Sequence, residues 1–569
     1  MRKSFVWFGA IILLLLLTMP VIAVSYTDVI GFQWNISIPS PTVTRVWANG
    51  TTASVDGAYF NNHIIWGNIK KVLVNRSSQQ VYYGTNNRGD GLTFTGAGSN
   101  SGNQTMIEIP QFWEFNSYSG TTFTYLVSPT QYNESFTVAP MFNQRGGYPA
   151  LHYYIGAYDM AAETYNGVTT GTSYTNQAPV VSQTIGTMRT YAERNGAGWG
   201  LYNIWSWSGI LVLLYIETGT LNSQVAWANS RGIVDAAAAK NSGADSADSN
   251  INAENATGGG TGTNGLTPAV YHGIENGWGN IWQFIDGQNS YTSGANSVWN
   301  NINPNGLNST GGVTIFKNLL PSSDYQQTTT TTIGDGYQTA VSSVAGNRNL
   351  FIPTSTTGGS DTTYLSDYFY YPRSTFSSTP NILIAGGAWF HAGSAGVGFW
   401  GSHNAASAAS GAIGARLEFR ANAPVTNFSY TVTNPATVAV TFTDTTTQNP
   451  TSWAWYYTNA TGSKVLFSNS QNPSYTFGSN TWQIELDATN VDSTSIKTAT
   501  LPMSASFTQN AITGYMGDIF QFTDTSVGGV SGWNWSFGDG TFATTQNPTH
   551  SYSTMGDYSV TLNTSRIIY

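Results

Sequence analysis

From residue 25 to about 140, short runs of β-branched and aromatic residues alternate with Asn/Gly breaks, as in QVYYGT and TMIEIPQFWEF. This is the period-two pattern of strands and hairpins. The period then changes. Ile185, Met188, Tyr191 and Ala192 mark one face of a helix ending near Asn195-Gly196. Tyr202 to Glu217 is apolar on nearly every side, which predicts a core helix; its stretch GILVLLYI (Gly209–Ile216) is too short to span a bilayer. Residues 232–268 are low in complexity and predict a long surface excursion. In YHGIENGWGNIWQFIDGQN (Tyr271–Asn289), Trp278 and Trp282 lie four apart with Ile274, Ile281 and Ile285 alongside, the spacing of a helix or bent segment packed on a core. Glu275 and Asp286 flank it, with loop-fixing hydrogen bonds to backbone N–H groups as their expected role. Strands and loops return through Arg420. From Ala421 a Thr/Ser-rich alternation runs on with no helix signal.

Arg2 and Lys3 precede an apolar run from Phe5 to Val24, and Val21-Ile22-Ala23 offers small or apolar residues for cleavage. Residues 1–23 therefore read as a secretory signal peptide, with an uncleaved anchor as the alternative. The expected location is secreted or at the cell surface, and membrane contact is expected only through this segment.

Composition sharpens that picture. Charged residues are 9% of the chain and aromatic residues 14%, with a net charge of −9 and no basic run after Lys3. Nucleic-acid binding lacks its electrostatic footprint. With no cysteine, stability rests on core burial rather than disulfides, and thiol chemistry is excluded. The six histidines are scattered, which disfavours a His-based metal site. Asn-X-Ser/Thr sequons begin at Asn35, Asn49, Asn75, Asn103, Asn133, Asn255, Asn308, Asn427, Asn459, Asn534 and Asn563. They are acceptors wherever the host glycosylates its surface proteins.

The C-terminal part repeats itself. VTFTDTTTQNPTSWAWYY (Val440–Tyr457) parallels FQFTDTSVGGVSGWNWSF (Phe520–Phe537), and SQNPSYTFGSNTWQIEL (Ser470–Leu486) parallels TQNPTHSYSTMGDYSVTL (Thr545–Leu562). Trp533, Trp535 and Phe537 share one strand face, and Gly538-Asp539-Gly540 predicts a tight hairpin turn. The run FTDTS, WxWxFGDG, QNPxHxY, GxYxVTL resembles the PKD domain, a small immunoglobulin-like sandwich. The second copy keeps the whole pattern. The first keeps Phe442, Asp444, Trp453, Trp455 and Gln471-Asn472-Pro473 but has YYTNAT in place of FGDG. Asp539 and His550 read as a turn residue and a sandwich-edge histidine rather than catalytic groups. The resemblance implies spacer or adhesive modules, as on exported and archaeal surface proteins.

Three stretches carry a second resemblance: Thr187–Gln224, Tyr271–Asn289 and Ile382–Phe419. Together they look like minor structural or tail-fibre-type proteins of tailed phages, over about residues 26–420. The ENGWGNIWQF and GGAW…IGAR segments also resemble the formylglycine-generating-enzyme branch of the C-type lectin fold. In that fold a Gly-Gly-x-Trp strand and a Gly-x-Arg strand close the core, and the scaffold presents a variable binding surface. The expected fold is thus multidomain: a signal peptide (1–23), a β-rich N-terminal region (24–140), an α+β C-type-lectin-like domain (141–420), a degenerate PKD domain (421–500) and a PKD domain (501–569), the last two all-β sandwiches. Gly386-Gly387 permits close backbone approach before Trp389. Arg416, the lone charge in GAIGARL, is expected to pair internally with Glu275 or Asp286.

Between the two closing strands lies WFHAGSAGVGFWGSHNAASAASG, aromatic and small polar residues on a glycine-rich backbone. Rigid aromatics beside adaptable polar groups make up binding loops. The candidate contacts are Trp389, Phe390, His391, Phe399, Trp400, Ser402, His403 and Asn404, with core packing as the competing reading for each aromatic. Tyr364, Tyr368, Tyr370 and Tyr371 form a second cluster. No cofactor is implied. Many C-type lectins use calcium, the branch resembled often does not, and the acidic stretch at 245–250 lacks a calcium-loop spacing, so no metal is assigned.

The expected function is an exported adhesin-type or receptor-binding protein. Its lectin-like head would recognise a surface glycan or protein ligand, and the PKD modules would act as stalk or contact units. The fibre resemblance is compatible with a homo-oligomer. A structural S-layer-type envelope component or a virus-derived fibre is the alternative. An enzyme fits less well: formylglycine-type chemistry needs cysteines, and G-x-S-x-G, H-E-x-x-H and P-loop motifs are missing.

Overall fold

The computed structural model describes residues 25–83, 102–142, 150–226, 231–242, 258–259, 263–293, 295–300, 326–331, 335–344, 347–370, 381–421, 424–434, 439–447, 450–458, 463–477, 483–490, 494–501, 503–526 and 530–565. The segment read as a signal peptide lies outside them. Among the described residues no helix is long and apolar enough to cross a membrane.

Among the described residues, three sheets of five or more strands and three smaller ones build the head with the helices. The first sheet is antiparallel, in the order Thr44–Trp47, Ile30–Asn35, Thr122–Ser128, Trp113–Ser119, Thr137–Val138. Phe32 lies opposite Tyr125 and Trp34 opposite Phe123, so alternate side chains of both strands enter the core. The second sheet runs Trp199–Leu201, Leu417–Phe419, His152–Gly156, Asn103–Pro110, Lys70–Asn75, Val81–Tyr82. The third is centred on Trp282–Ser293, Asn381–Gly386 and Gly396–Ala405. The sequence reading divides the head near residue 140, yet strand pairing crosses that position. Asn103–Pro110 pairs with His152–Gly156, and one apolar cluster reaches from Ile30 to Trp400.

The short helix α1 spans Gly57–Asn62, α2 spans Ile185–Glu193 and α3 spans Ile204–Thr218. As expected, α2 buries Ile185, Met188 and Ala192, while Tyr191 of the predicted face is only half-buried against the same core. All of α3 from Ile204 to Ile216 is buried. Asn203 caps it: the side-chain oxygen accepts from Trp205 N at 2.9 Å and Ser206 N at 3.1 Å. Gly219 ends it at φ 70°. The Asn203 amide donates to Glu418 at 2.7 Å, and Ser206 Oγ donates to the same carboxylate at 3.0 Å. A carboxylate at a helix N-terminus meets unpaired N–H groups and a favourable dipole, so Glu418 ties α3 to the second sheet.

Three expectations differ from the structure. The segment 271–289 is not helical but forms the strands Ile274–Glu275 and Trp282–Ser293. Successive residues Trp282, Gln283, Phe284 and Ile285 are all buried, so both strand faces are covered and the period-two signal vanishes. Positive φ at His272, Asn276 and Asn280 also interrupts any helix. The stretch 232–268, read as a surface excursion, is anchored where it is described: Ile233 and Val234 are buried, and Ser242 donates to Asp159 Oδ2 at 3.0 Å. Finally, the Arg416 ion pair is with Asp159, at 3.1 Å, rather than Glu275 or Asp286. The guanidinium also donates to the backbone oxygens of Gly156, Glu275 and Asn276 and to Gln283 Oε1. Asp286 instead pairs with Arg189 of α2 at 2.5 Å, and it does hold a backbone N–H, that of Gly287 at 2.8 Å.

From residue 424 on, every described element is a strand. The first module stacks Phe428–Asn434, Ala439–Asp444 and Ser474–Thr476 on a sheet in the order Lys464–Ser468, Ser452–Thr458, Gln483–Thr489, Thr494–Thr500. The second stacks Phe507–Gln509, Phe520–Asp524 and Thr549–His550 on Phe542–Ala543, Gly532–Ser536 and Thr561–Ser565. Both cores centre on the Phe–Trp pair of the repeat, Phe442 with Trp455 and Phe522 with Trp535.

The polar wiring is duplicated as well. In the first module Asp444 Oδ2 accepts from Trp453 Nε1 at 2.8 Å and Gln471 Nε2 at 3.1 Å, while Asp444 N donates to Asn472 at 2.8 Å. In the second, Asp524 Oδ2 accepts from Trp533 Nε1 at 2.7 Å and Gln546 Nε2 at 3.2 Å, and Asp524 N donates to Asn547 at 2.8 Å. The loss of FGDG in the first copy leaves this knot intact. In the second copy the predicted turn is present, with Gly538 and Gly540 at positive φ and Phe537 N bonded to Thr541 O at 3.2 Å. His550 stacks on Phe537 at 4.2 Å and meets Asp539 at 2.8 Å on the module surface.

Candidate functional site

The strands Asn381–Gly386 and Gly396–Ala405 form an antiparallel pair, and Tyr368–Tyr370 lies parallel beside the second of them. The turn that joins the pair needs Gly387, at φ 81°: a Cβ there would come within 2.9 Å of the Phe399 ring. This turn carries Trp389, Phe390 and His391 over the sheet.

Strand alternation sorts the candidates. Phe399 and His403 point to one side, where Tyr370 contacts both, at ring-centroid distances of 5.7 Å and 4.9 Å. Trp400 points to the other side and stacks on Trp207 of α3 at 5.6 Å. Trp400, Phe399 and Ser402 are each no more than 1% exposed. They belong to the interior, a correction to their reading as contacts: both faces of the sheet are covered here, with α3 against Trp400 and with Tyr370 and His391 against Phe399. Trp389 is half-buried, its N–H bonded to Asn280 O at 3.1 Å.

Phe390, His391, His403, Asn404 and Tyr370 converge on a shallow cleft of about 240 Å³. Phe390 stands 56% exposed at its lip. His391 lies 5.0 Å from the Trp282 ring and 5.3 Å from Phe399. Ala388 N–H donates to His391 Nδ1 at 3.0 Å, which fixes the neutral ring with its proton on Nε2. Burial pushes the His391 pKa down to about 4. Asn404 Nδ2 lies 3.3 Å from His403 Nε2. The cleft thus offers aromatic faces, an uncharged imidazole and an amide, groups suited to stacking and hydrogen bonding.

Of the tyrosine cluster, Tyr368 packs on Tyr337 and Tyr370, Tyr364 packs against the head core, and Tyr371 lies outside the described residues. Sequence reading missed Trp282, Ile384, Ser410, Ala412 and Ile413 as cleft walls. The parallel pairing of Ile413 with Trp282 brings two of them together, and no local pattern announces it. Among the described residues no group of three or more His, Asp or Glu converges as a metal site.

The sequons divide by exposure. Asn49, Asn133, Asn427, Asn534 and Asn563 are exposed, and Asn534 sits directly opposite Asn563 across paired strands. Asn35 is half-buried. Asn75 and Asn103 are half-buried and bonded to each other at 2.9 Å. Asn255, Asn308 and Asn459 lie outside the described residues.

No curated protein matches the chain. Residues 513–566 match the PKD domain family, which identifies the second C-terminal sandwich as a PKD domain.

Proposed function

We propose that this chain is an exported cell-surface binding protein whose head, residues 25–421, recognises a surface glycan or protein ligand and whose two sandwich modules serve as stalk or contact units. The observation that carries the reading is the convergence of Phe390, His391, His403, Asn404 and Tyr370 on one solvent-open cleft. PKD domains are common in surface and adhesion-type proteins. The apolar N-terminal run after Arg2-Lys3 supports export. We read the head as C-type-lectin-like, supported by the Gly386-Gly387 turn and the buried Arg416 gathered around Trp282–Ser293. Binding rather than catalysis suits a cleft that holds an aromatic lip, an amide and a neutral histidine.

The test is saturable binding of the full chain to a glycan array and to whole cells, compared with a Phe390→Ala/His403→Ala variant shown to stay folded. Binding lost in the variant supports the reading. A second reading, a structural envelope component, draws on the exposed apolar side chains Ile512, Tyr515, Met516, Ile519 and Met555 of the PKD domain. It is favoured if no surface is bound and the chain assembles into sheets or fibres.

A further inference from the structure

Asp367 stands just before the strand Tyr368–Tyr370 and is 1% exposed. The parallel register that sets Phe369 against Trp400 and Tyr370 against Gly401 carries Asp367 to Gly398. There its Oδ2 accepts the Gly398 N–H at 2.8 Å, while Oδ1 has no hydrogen-bond partner. Two glycines make the space for this carboxyl: a Cβ on Gly396 would land on Oδ1, and one on Gly398 would come within 2.6 Å of Oδ2. An acidic group is thus built into the sheet, against the strand that carries His403 and Asn404 to the cleft described above.

Nothing described around it offsets a charge. The Gly398 N–H is the one neighbour that favours the ionised form. The titratable group that faces it is the Tyr215 hydroxyl of α3, itself an acid. The other elements packed here present the uncharged Ser223 and Gln338, whose backbone N–H donates to Asp367 O at 3.0 Å. A buried carboxylate with a single donor and no cation is strongly disfavoured, so the group is held neutral. Burial accordingly raises its pKa well above the ordinary value.

The side chains that grip the same stretch do not titrate. Gln338 Nε2 donates to Gly398 O at 2.7 Å, and Ser223 Oγ accepts from Val397 N at 3.0 Å. Asp367 is therefore the member of this knot whose hold depends on pH. Once ionised, it must draw water inward or swing out of the gap left by the two glycines, and either movement parts Tyr368–Tyr370 from Gly396–Ala405. Those strands set Tyr370 against His403, at 4.9 Å, on the cleft wall. We propose that Asp367 is a pH-sensitive latch on the cleft: its protonated carboxyl keeps the two strands closed, and loss of the proton to solvent as pH rises releases them and opens the Tyr370–His403 wall. Its meaning as regulation rests on the binding reading of that cleft; its chemistry does not.

The experiment is amide hydrogen exchange of the full chain without ligand, from about pH 5 to about pH 8, read as protection factors so that the intrinsic pH dependence of exchange is removed. An opening that ionises Asp367 becomes about tenfold more favourable per pH unit between the ordinary and the latched pKa. Protection at Gly398 and across Tyr368–Tyr370 should fall by about that factor per unit, while Gly532–Ser536 of the PKD domain should not change. Asp367→Asn keeps an oxygen for the Gly398 N–H and cannot ionise, so its protection should stay level. Asp367→Ser, equally unable to ionise, takes its place if Asp367→Asn fails to fold. Two results would overturn the latch: level protection in the wild-type chain, or a folded variant that loses protection as steeply as the wild type. Because no ligand is used, failure of the latch leaves binding at the cleft standing, and failure of that binding leaves the exchange result standing.

Discussion

The Arg416 guanidinium sits 3.1 Å from the Asp159 carboxylate with neither side chain exposed to solvent. The pair joins the last segment of the head to the loop after His152–Gly156. Burial raises the Asp159 pKa, and the arginine with the hydrogen bonds from Asn280, Ser242 and Asn276 pulls it back. Breaking such a pair from one side leaves an uncompensated buried charge. Arg416→Met should therefore destabilise the head by about 3–5 kcal/mol in chemical denaturation followed by circular dichroism. The loss should shrink in acid, where Asp159 takes up a proton. The double variant Asp159→Leu/Arg416→Met should lose less than the two single losses added together.

Asp367 gives a stability term of opposite pH sense to the usual carboxylate. It is fully buried, and Oδ2 accepts the Gly398 N–H at 2.8 Å. Burial raises its pKa well above the ordinary value. Folding thus favours the protonated form, so its contribution is full below the unfolded-state pKa and is lost as pH rises through the folded value. Asp367→Asn should flatten the decline in melting temperature between acid and neutral pH. An unchanged slope would remove Asp367 as its source.

His391 works in the other direction. Its pKa is lowered to about 4 by burial, so the folded state binds its proton later than the unfolded chain does. The stability it contributes is present above about pH 6.5 and is lost as pH falls from there toward 4. An NMR titration should place the His391 midpoint near the lower end of that window. The His391 ring should therefore stay neutral, and contribute no change to ligand binding at the cleft, from pH 8 down to about 5.

The Asp–Trp knot predicts matched behaviour in the two modules. Asp524→Ala strips the acceptor from Trp533 and Gln546, and Asp444→Ala strips it from Trp453 and Gln471. Each should cost its own module about 1–3 kcal/mol, read as faster amide exchange in that module alone. Asn at either position retains an acceptor oxygen for the indole and should recover part of the loss.

How far the sequence foretold this structure depends on the range of the interaction. Helix α3 was legible because its signal is local: apolar side chains on nearly every side. The PKD core was legible because Trp533 and Trp535 obey the strand period and the repeat states it twice. The stretch from Ile274 to Ile285 misled because a strand buried on both faces loses its alternation, and tryptophans four apart then imitate a helix. Trp400 and Ser402 misled because a strand in a covered sheet turns half its residues inward, here toward Trp207. Phe390 and His403 line one cleft because one hairpin carries both. Asp159 as the partner of Arg416 was beyond reach, 257 positions away along the chain.

The strand Leu417–Phe419 lies between Trp199–Leu201 and His152–Gly156 in the second sheet of the head. The order in which the chain is made therefore differs from the order in which that sheet can close. Its two neighbours are synthesised more than two hundred residues before it, and they must wait with an open gap between them. Such long-range closure is slow and leaves edges exposed in the meantime. On the export reading proposed above, that delay keeps the head threadable until residue 419 has emerged.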